Sequence, residues 1–238
     1  FITVLLTVTL IISNLIFGNL VLNKHNNTSN SPMNTIVKII SPKIDLKRFF
    51  DGTDPSLVIK DLAEIGNIDS RDALYIYPEG ILPSINLNEI QDYSSVFGNY
   101  FQNNHKIIVG ITRYKETEIF NSMALLDNDL KLISVYDKNK LVPFGEYLPF
   151  ENFLKNYGFK KITQGYQSFS SASERDLIKM NDTKFLPLIC YEIIYSGNIY
   201  KNYDNYDFII NISEDGWFGE SIGIDQHFYH SVFRSIEE

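Results

Sequence analysis

Short apolar runs alternate along this chain with stretches of helical periodicity. Thr35–Ile40, Leu74–Tyr77, Lys106–Arg113, Phe120–Leu126, Leu130–Asp137, Phe185–Ile189 and Phe208–Ser213 are rich in β-branched and aromatic residues and read as strands. Asp54 before Pro55 is an N-cap and first-turn signature, and Leu57, Ile59, Leu62 and Ile65 then recur at roughly helical spacing up to Gly66. A second helix is predicted over Asn86–Asn103, with Ile90, Tyr93, Val96, Phe97 and Phe101 inward, and a third over Gln226–Glu238. Asp127-Asn128-Asp129 is the turn of a hairpin. Lys43–Gly52, carrying Phe49 and Phe50, reads as a loop, as does a long segment from Asn139 to about Lys160. Several strands are apolar on both sides, which suits an α/β domain whose sheets are covered by helices.

The N-terminus breaks this pattern. Phe1 to Asn23 holds no charged residue, and a membrane-crossing helix needs about 20 apolar residues. Neither a basic leader nor a small-residue cleavage site accompanies it. Phe1–Leu22 therefore reads as a transmembrane helix, the last of several in a chain truncated at both ends; a long core helix or a strand pair is the alternative. Residues 23–34, rich in Asn and Ser, are the expected linker, and 35–238 the folded domain. At 44% hydrophobic and 21% charged, the chain is globular rather than disordered. The net charge of −8 and the scattered Lys and Arg argue against nucleic acid as a partner. Seventeen Phe and fifteen Tyr suit either an apolar ligand or simply a large core.

Cys190 is the only cysteine, so no intramolecular disulfide is open to it, and its value lies in packing or in reactivity. It ends the apolar run Phe185–Ile189 with Glu192 two residues on, and a buried carboxylate beside a thiol calls for partners. Glu79 stands in a comparable position after Leu74–Tyr77, and Lys138 after Leu130–Asp137. The crevice outside the carboxyl ends of strands is where α/β folds place sites. A carboxylate, an amine and a thiol meeting there supply a base, an oxyanion stabiliser and a nucleophile. Taken singly, each is more often a surface charge. Lys140, at i+2, shares a face with Lys138 if the strand continues. His227 and His230 stand at i, i+3 without a third candidate ligand; no metal and no cofactor are expected.

Tyr77-Pro78-Glu79, Tyr136-Asp137-Lys138 with Leu141–Pro149, and Ile189-Cys190-Tyr191-Glu192 resemble the three active-site segments of the nitrilase superfamily. Lys138 follows Glu79 by 59 residues, and Cys190 follows Lys138 by 52. The Val142–Tyr147 loop and Asn211–Gly219 are similar to the membrane-embedded apolipoprotein N-acyltransferase branch, from about residue 35 to the C-terminus. The resemblance implies a four-layer α-β-β-α sandwich preceded by a transmembrane helix. It implies Cys190 as nucleophile, Glu79 as general base and Lys138 as oxyanion stabiliser. Glu146 and Glu192 would orient Lys138 and the substrate; Tyr191 matches a further functional position, and Trp217 an aromatic of the acyl-binding side, a core tryptophan being its alternative.

The branch moves a fatty acyl group from a phospholipid, through a cysteine thioester, to the α-amino group of a diacylglyceryl-cysteine on an apolipoprotein. Its setting would be the bacterial inner membrane, with the domain on the periplasmic side, as a monomer. The chain departs from the family pattern where Lys140 replaces His, Gly80 follows the glutamate, Glu214 and Gly216 replace Asn and Ala before Trp217, Ser41 replaces Gln, and Phe49 or Phe50 stands near a common Trp position. Two rival readings are a nitrilase-like amidase acting on a small amide, and an inactive membrane-tethered scaffold.

Overall fold

The computed structural model describes residues 2–26, 35–49, 52–150, 168–197, 199 and 206–238. It divides into two units, residues 1–34 and 35–238. The first contains one helix, α1 (Ile2–Asn26). Its stretch Ile2–Asn23 is 22 residues with no buried side chain, long and apolar enough to cross a bilayer. At 1.5 Å per residue that is about 33 Å, against roughly 30 Å of hydrocarbon.

The second unit is built on two sheets. β1 (Ile36–Ile39), β2 (Ala73–Ile76), β3 (His105–Lys115), β4 (Glu118–Asp127) and β5 (Leu132–Asp137) form one, in that spatial order. β1–β2 and β2–β3 are parallel, and β3–β4 and β4–β5 antiparallel. β6 (Ile178–Met180), β7 (Thr183–Ile189) and β8 (Phe208–Ile212) form the other, with β7 and β8 parallel.

The period-2 alternation of side chains decides the layering. On β2, Leu74 and Ile76 join Ile108, Met123 and Leu125 in a core shared with Phe185, Ile189, Ile210 and Ile212 of the second sheet. The alternate residues Ala73, Tyr75 and Tyr77 face the opposite way, into a core with Ile59 and Leu62 of α2 (Pro55–Gly66) and with Ile90, Phe97 and Phe101. Leu186 and Leu188 turn to the outer side of the second sheet, against Ile193 and Ile199. These are the stacked layers of a nitrilase-like α-β-β-α sandwich. The last helix, α4 (Gly223–Glu237), packs on the turn that follows β7.

Asp54 caps α2 by accepting from the Ser56 amide at 2.9 Å. The helix expected over Asn86–Asn103 does not form as one piece. Only a 3₁₀ turn at Ile90–Tyr93 and a single helical turn, α3 (Ser94–Phe97), are present. Asn86 instead pairs with Thr112, and its side chain accepts from the Asn88 amide at 3.0 Å, an Asx turn that competes with helix. Gly98 follows α3 immediately. The inward residues named for that helix are nonetheless in or against the core. Of the expected linker 23–34, residues 23–26 belong to α1, and 27–34, like Phe50 and the loop from 151 to 160, lie outside the described residues.

Candidate active site

Glu79 is carried by the turn Pro78-Glu79-Gly80 at the end of β2. Gly110 on β3 allows that turn to lie flat against the sheet: a Cβ there would stand 2.4 Å from the Glu79 Cα. Pro78 accepts from the Gly110 amide at 3.2 Å. Lys138 follows β5, its amide bonded to the Asn121 carbonyl at 2.9 Å. β5 ends at Asp137, so Lys140 is exposed and Lys138, 1% exposed, is the buried cation.

The Lys138 Nζ donates to Glu146 Oε1 at 2.9 Å and lies 3.6 Å from Glu79 Oε1. Asn121 joins the two acids, donating to Glu79 at 2.6 Å and to Glu146 at 2.8 Å. The other Glu146 oxygen takes the Val142 amide at 2.8 Å, closing the Val142–Tyr147 loop on itself. The other Glu79 oxygen accepts from the Glu214 amide at 3.1 Å. Burial alone would lower the lysine, but the two carboxylates outweigh it and hold the ammonium above its usual range.

β7 delivers Cys190 into a 3₁₀ turn, Cys190–Ile194, with φ of +52° at the cysteine. That is the left-handed region, sparsely used by side-chain-bearing residues and frequent at functional sites. Burial pushes the thiol well above its usual range; the Glu79 charge adds to this, and Lys138 opposes it. Cys190 is therefore a protonated thiol at neutral pH, in the electrostatic reach of Glu79, Lys138 and Glu146.

Glu192 does not touch Lys138. It is wholly buried, and accepts from Tyr136 Oη (2.7 Å), Arg175 Nη2 (2.6 Å) and the amides of Asn139, Lys140 and Ile189 (3.0, 2.9 and 2.9 Å). None of these bonds is with Lys138, against the expectation that Glu192 orients the lysine through a hydrogen bond; they tie the chain after Lys138 to the turn that bears Cys190. The Tyr191 ring stands edge-on to that of Tyr195 at 5.7 Å.

A cavity of about 290 Å³ opens over Glu79, Asn121 and Glu146, with Phe49, Trp217 and Glu214 on its walls. Trp217 is 45% exposed and lies 5.5 Å from the Phe49 ring, so it is a wall residue and not a core tryptophan. Among the described residues, no group of three His, Cys, Asp or Glu side chains could hold a metal ion. His227 instead bonds Asp215 Oδ1 at 2.9 Å and the Cys190 carbonyl at 3.1 Å. Asn121, Arg175, Ser213 and Asp215 are site residues that sequence reasoning passed over. Asn121 had a signal, a polar side chain that with Ser122 interrupts the buried apolar run of β4; Arg175 lies in irregular chain with no pattern around it.

The apolipoprotein N-acyltransferase of Rhizobium rhizogenes (strain K84) is 31% identical over 216 residues, which cover 85% of this chain and 40% of that protein. The protein of the same name from Agrobacterium fabrum is 30% identical over 213 residues, covering 84% and 40%. The chain thus spans about two fifths of the length of the curated relatives it matches. A carbon-nitrogen hydrolase from Helicobacter pylori G27 shares the fold, with a TM-score of 0.55 at 12% identity over 85% of this chain and 68% of that one. The family model described as carbon-nitrogen hydrolase matches residues 100–238, a span that contains Lys138, Glu146 and Cys190 and begins after Glu79. A match over more than half of the sequence, on a sandwich of the same architecture, leaves one conclusion: the chain belongs to the carbon-nitrogen hydrolase family.

Proposed function

We propose that this chain is the catalytic part of an apolipoprotein N-acyltransferase, with Phe1–Leu22 as a membrane anchor, residues 23–34 as a tether and 35–238 as the reacting domain on the periplasmic side of a bacterial inner membrane. The observation that supports this reading is the cluster of Glu79, a buried Lys138 and Glu146, whose charges act on the lone half-buried thiol at the end of β7. The named relatives supply the substrate class.

In the first half-reaction the Cys190 sulfur bonds to the ester carbonyl of a phospholipid while its proton passes to Glu79. The resting thiol is protonated, so the base acts during attack rather than before it. The tetrahedral oxyanion takes a hydrogen bond from Lys138, whose ammonium has three donors and leaves at least one beyond its bond to Glu146. The C–O bond then breaks, lysophospholipid leaves with the proton from Glu79, and a thioester remains. In the second half-reaction the neutral α-amine of a diacylglyceryl-cysteine attacks that thioester. Its proton goes to Glu79, an amide forms, and as the C–S bond breaks the sulfur takes that proton from Glu79, which restores the thiol and the carboxylate. One pocket serving both steps predicts ping-pong kinetics. The apolar Phe49–Trp217 side of the cavity suits the start of an acyl chain.

The test is intact-mass spectrometry of the chain in phospholipid vesicles. A fatty-acyl adduct on Cys190 is expected, lost on adding a diacylglyceryl-cysteine peptide and absent in Cys190→Ala. No adduct under any condition sinks the mechanism, and ammonia release from small amides in its place would favour an amidase.

A further inference from the structure

His227 stands between two groups that can only accept. Its Nδ1 is 2.9 Å from Asp215 Oδ1, and its Nε2 is 3.1 Å from the carbonyl oxygen of Cys190. The Ser213 hydroxyl already donates to the same Asp215 oxygen at 2.5 Å, so that oxygen is serving as an acceptor and Asp215 as a carboxylate. A neutral imidazole carries one N–H and could satisfy only one of the two contacts; both are made only if both nitrogens are protonated. His227 is also 5% exposed, so water is a poor substitute partner. The carbonyl it holds belongs to the residue with φ of +52°, where the strand turns and the thiol is presented.

We propose that His227, an imidazolium fixed by Asp215, is a positioning residue that locks the backbone of Cys190 in its left-handed conformation and so sets where the thiol points. This deepens the proposed function and rests on its reading of Cys190 as nucleophile. The surroundings agree. Burial alone would lower the imidazole, but its bond to Asp215 and that group's charge raise it, with the Cys190 carbonyl and Glu79 adding to them. The Phe218 ring, 5.7 Å away, closes another side. On its own helix His230 and Arg234 share its side at i+3 and i+7 spacing. A cavity of about 220 Å³ borders Asp215 and His227.

The experiment uses the full chain in detergent and reads two quantities. In [¹⁵N]His-labelled protein, with four histidines to assign, His227 should show both ring nitrogens protonated at pH 7, where an ordinary imidazole near 6.5 is mostly neutral. In Asp215→Asn the same ring should titrate at lower pH. Acylation of the single thiol by p-nitrophenyl butyrate, followed by intact mass, should slow on the order of ten- to a hundredfold in His227→Gln, with little change in KM. The parent's acylation rate should fall as pH rises through the His227 titration seen by NMR, a limb that the variant should lack. Should His227→Gln not fold, Asp215→Asn should move that limb to lower pH. A neutral His227 at pH 7, or acylation of His227→Gln at the parent rate with the same pH profile, overturns the proposal alone. No adduct on the parent thiol overturns the nucleophile reading and this role with it.

Discussion

Lys138 is stable as a cation in the interior because two carboxylates, bridged by the Asn121 side-chain amide, meet it there. Removing one partner of a buried ion pair leaves an uncompensated charge, at a cost of about 3–5 kcal/mol. Lys138→Met should therefore lower unfolding stability by about that much, because Glu79 and Glu146 would face each other across Asn121 without a cation. Adding Glu146→Gln to Lys138→Met should recover part of the loss while leaving acylation absent. Urea midpoints of the single and double variants measure this; a double variant no more stable than the single would show that the two carboxylates do not repel. The Asp215–His227 pair gives a second expectation. His227 titrates above its ordinary value in the folded chain, so its contribution to stability is complete below about pH 6.5 and is lost as pH rises through the raised value. Asp215 is held below its ordinary value, so its contribution is present above the usual carboxylate range and is lost as pH falls through the lowered one. The stability gap between parent and His227→Gln should therefore shrink as pH rises from 6 to 9, measured by urea unfolding at each pH. A gap independent of pH would show that the bridge is made equally well by a neutral ring.

Strand ends bring the reacting groups together, and β3 sets how closely they approach. Gly110 is the clearest control. A Cβ there would stand 2.4 Å from the Glu79 Cα and 2.9 Å from the Gly80 amide nitrogen, both backbone atoms with no flexible end to swing aside. Gly110→Ala should push the Pro78–Gly80 turn off the sheet, costing about 1–3 kcal/mol of stability. A shift of about 1 Å at Glu79 should lower acylation on the order of a hundredfold. If Gly110→Ala acylates as the parent does, the turn is not what fixes the base. The apolar runs marked these strands well, and with them the three residues that end or follow β2, β5 and β7. Period-2 alternation is a local property and survives in the sequence. The failure at 86–103 has a local cause too: Asn86 and Asn88 offer the backbone side-chain partners that a helical period does not reveal. What the pattern could not reach was pairing across long separations. Glu192 and Arg175 meet Tyr136 from chain positions with no shared period, and Glu192 accordingly looked like a partner of Lys138 when its bonds go to Tyr136 and Arg175. Asn121 was visible as an oddity in its strand, but its two acidic partners lie 42 and 25 residues away.

At the scale of the molecule, cores on both faces of the first sheet account for most of the second unit's buried apolar residues, and none of them comes from α1. Residues 35–238 form a unit by themselves, so their folding should not depend on the helix. The helix, with no buried residue in its apolar stretch, has another use if it spans a bilayer: it holds a site for lipid substrates at the surface where those lipids are. Tethering raises the local concentration of a bilayer substrate but does nothing for a dissolved one. A chain of residues 35–238 should therefore unfold at the same urea concentration as the second unit of the full chain, and take butyrate from p-nitrophenyl butyrate at the same rate. Its acylation by vesicle phospholipid should fall on the order of a hundredfold, the lower end of the gain that linkage gives a second binding event. Co-sedimentation with vesicles and intact-mass kinetics on both substrates separate the two effects. Equal rates on vesicle phospholipid would mean that the domain finds the bilayer through its own surface, leaving the helix no part in substrate capture. Loss of activity on the dissolved ester would mean that the helix supports the fold of the site itself, against the division into two units.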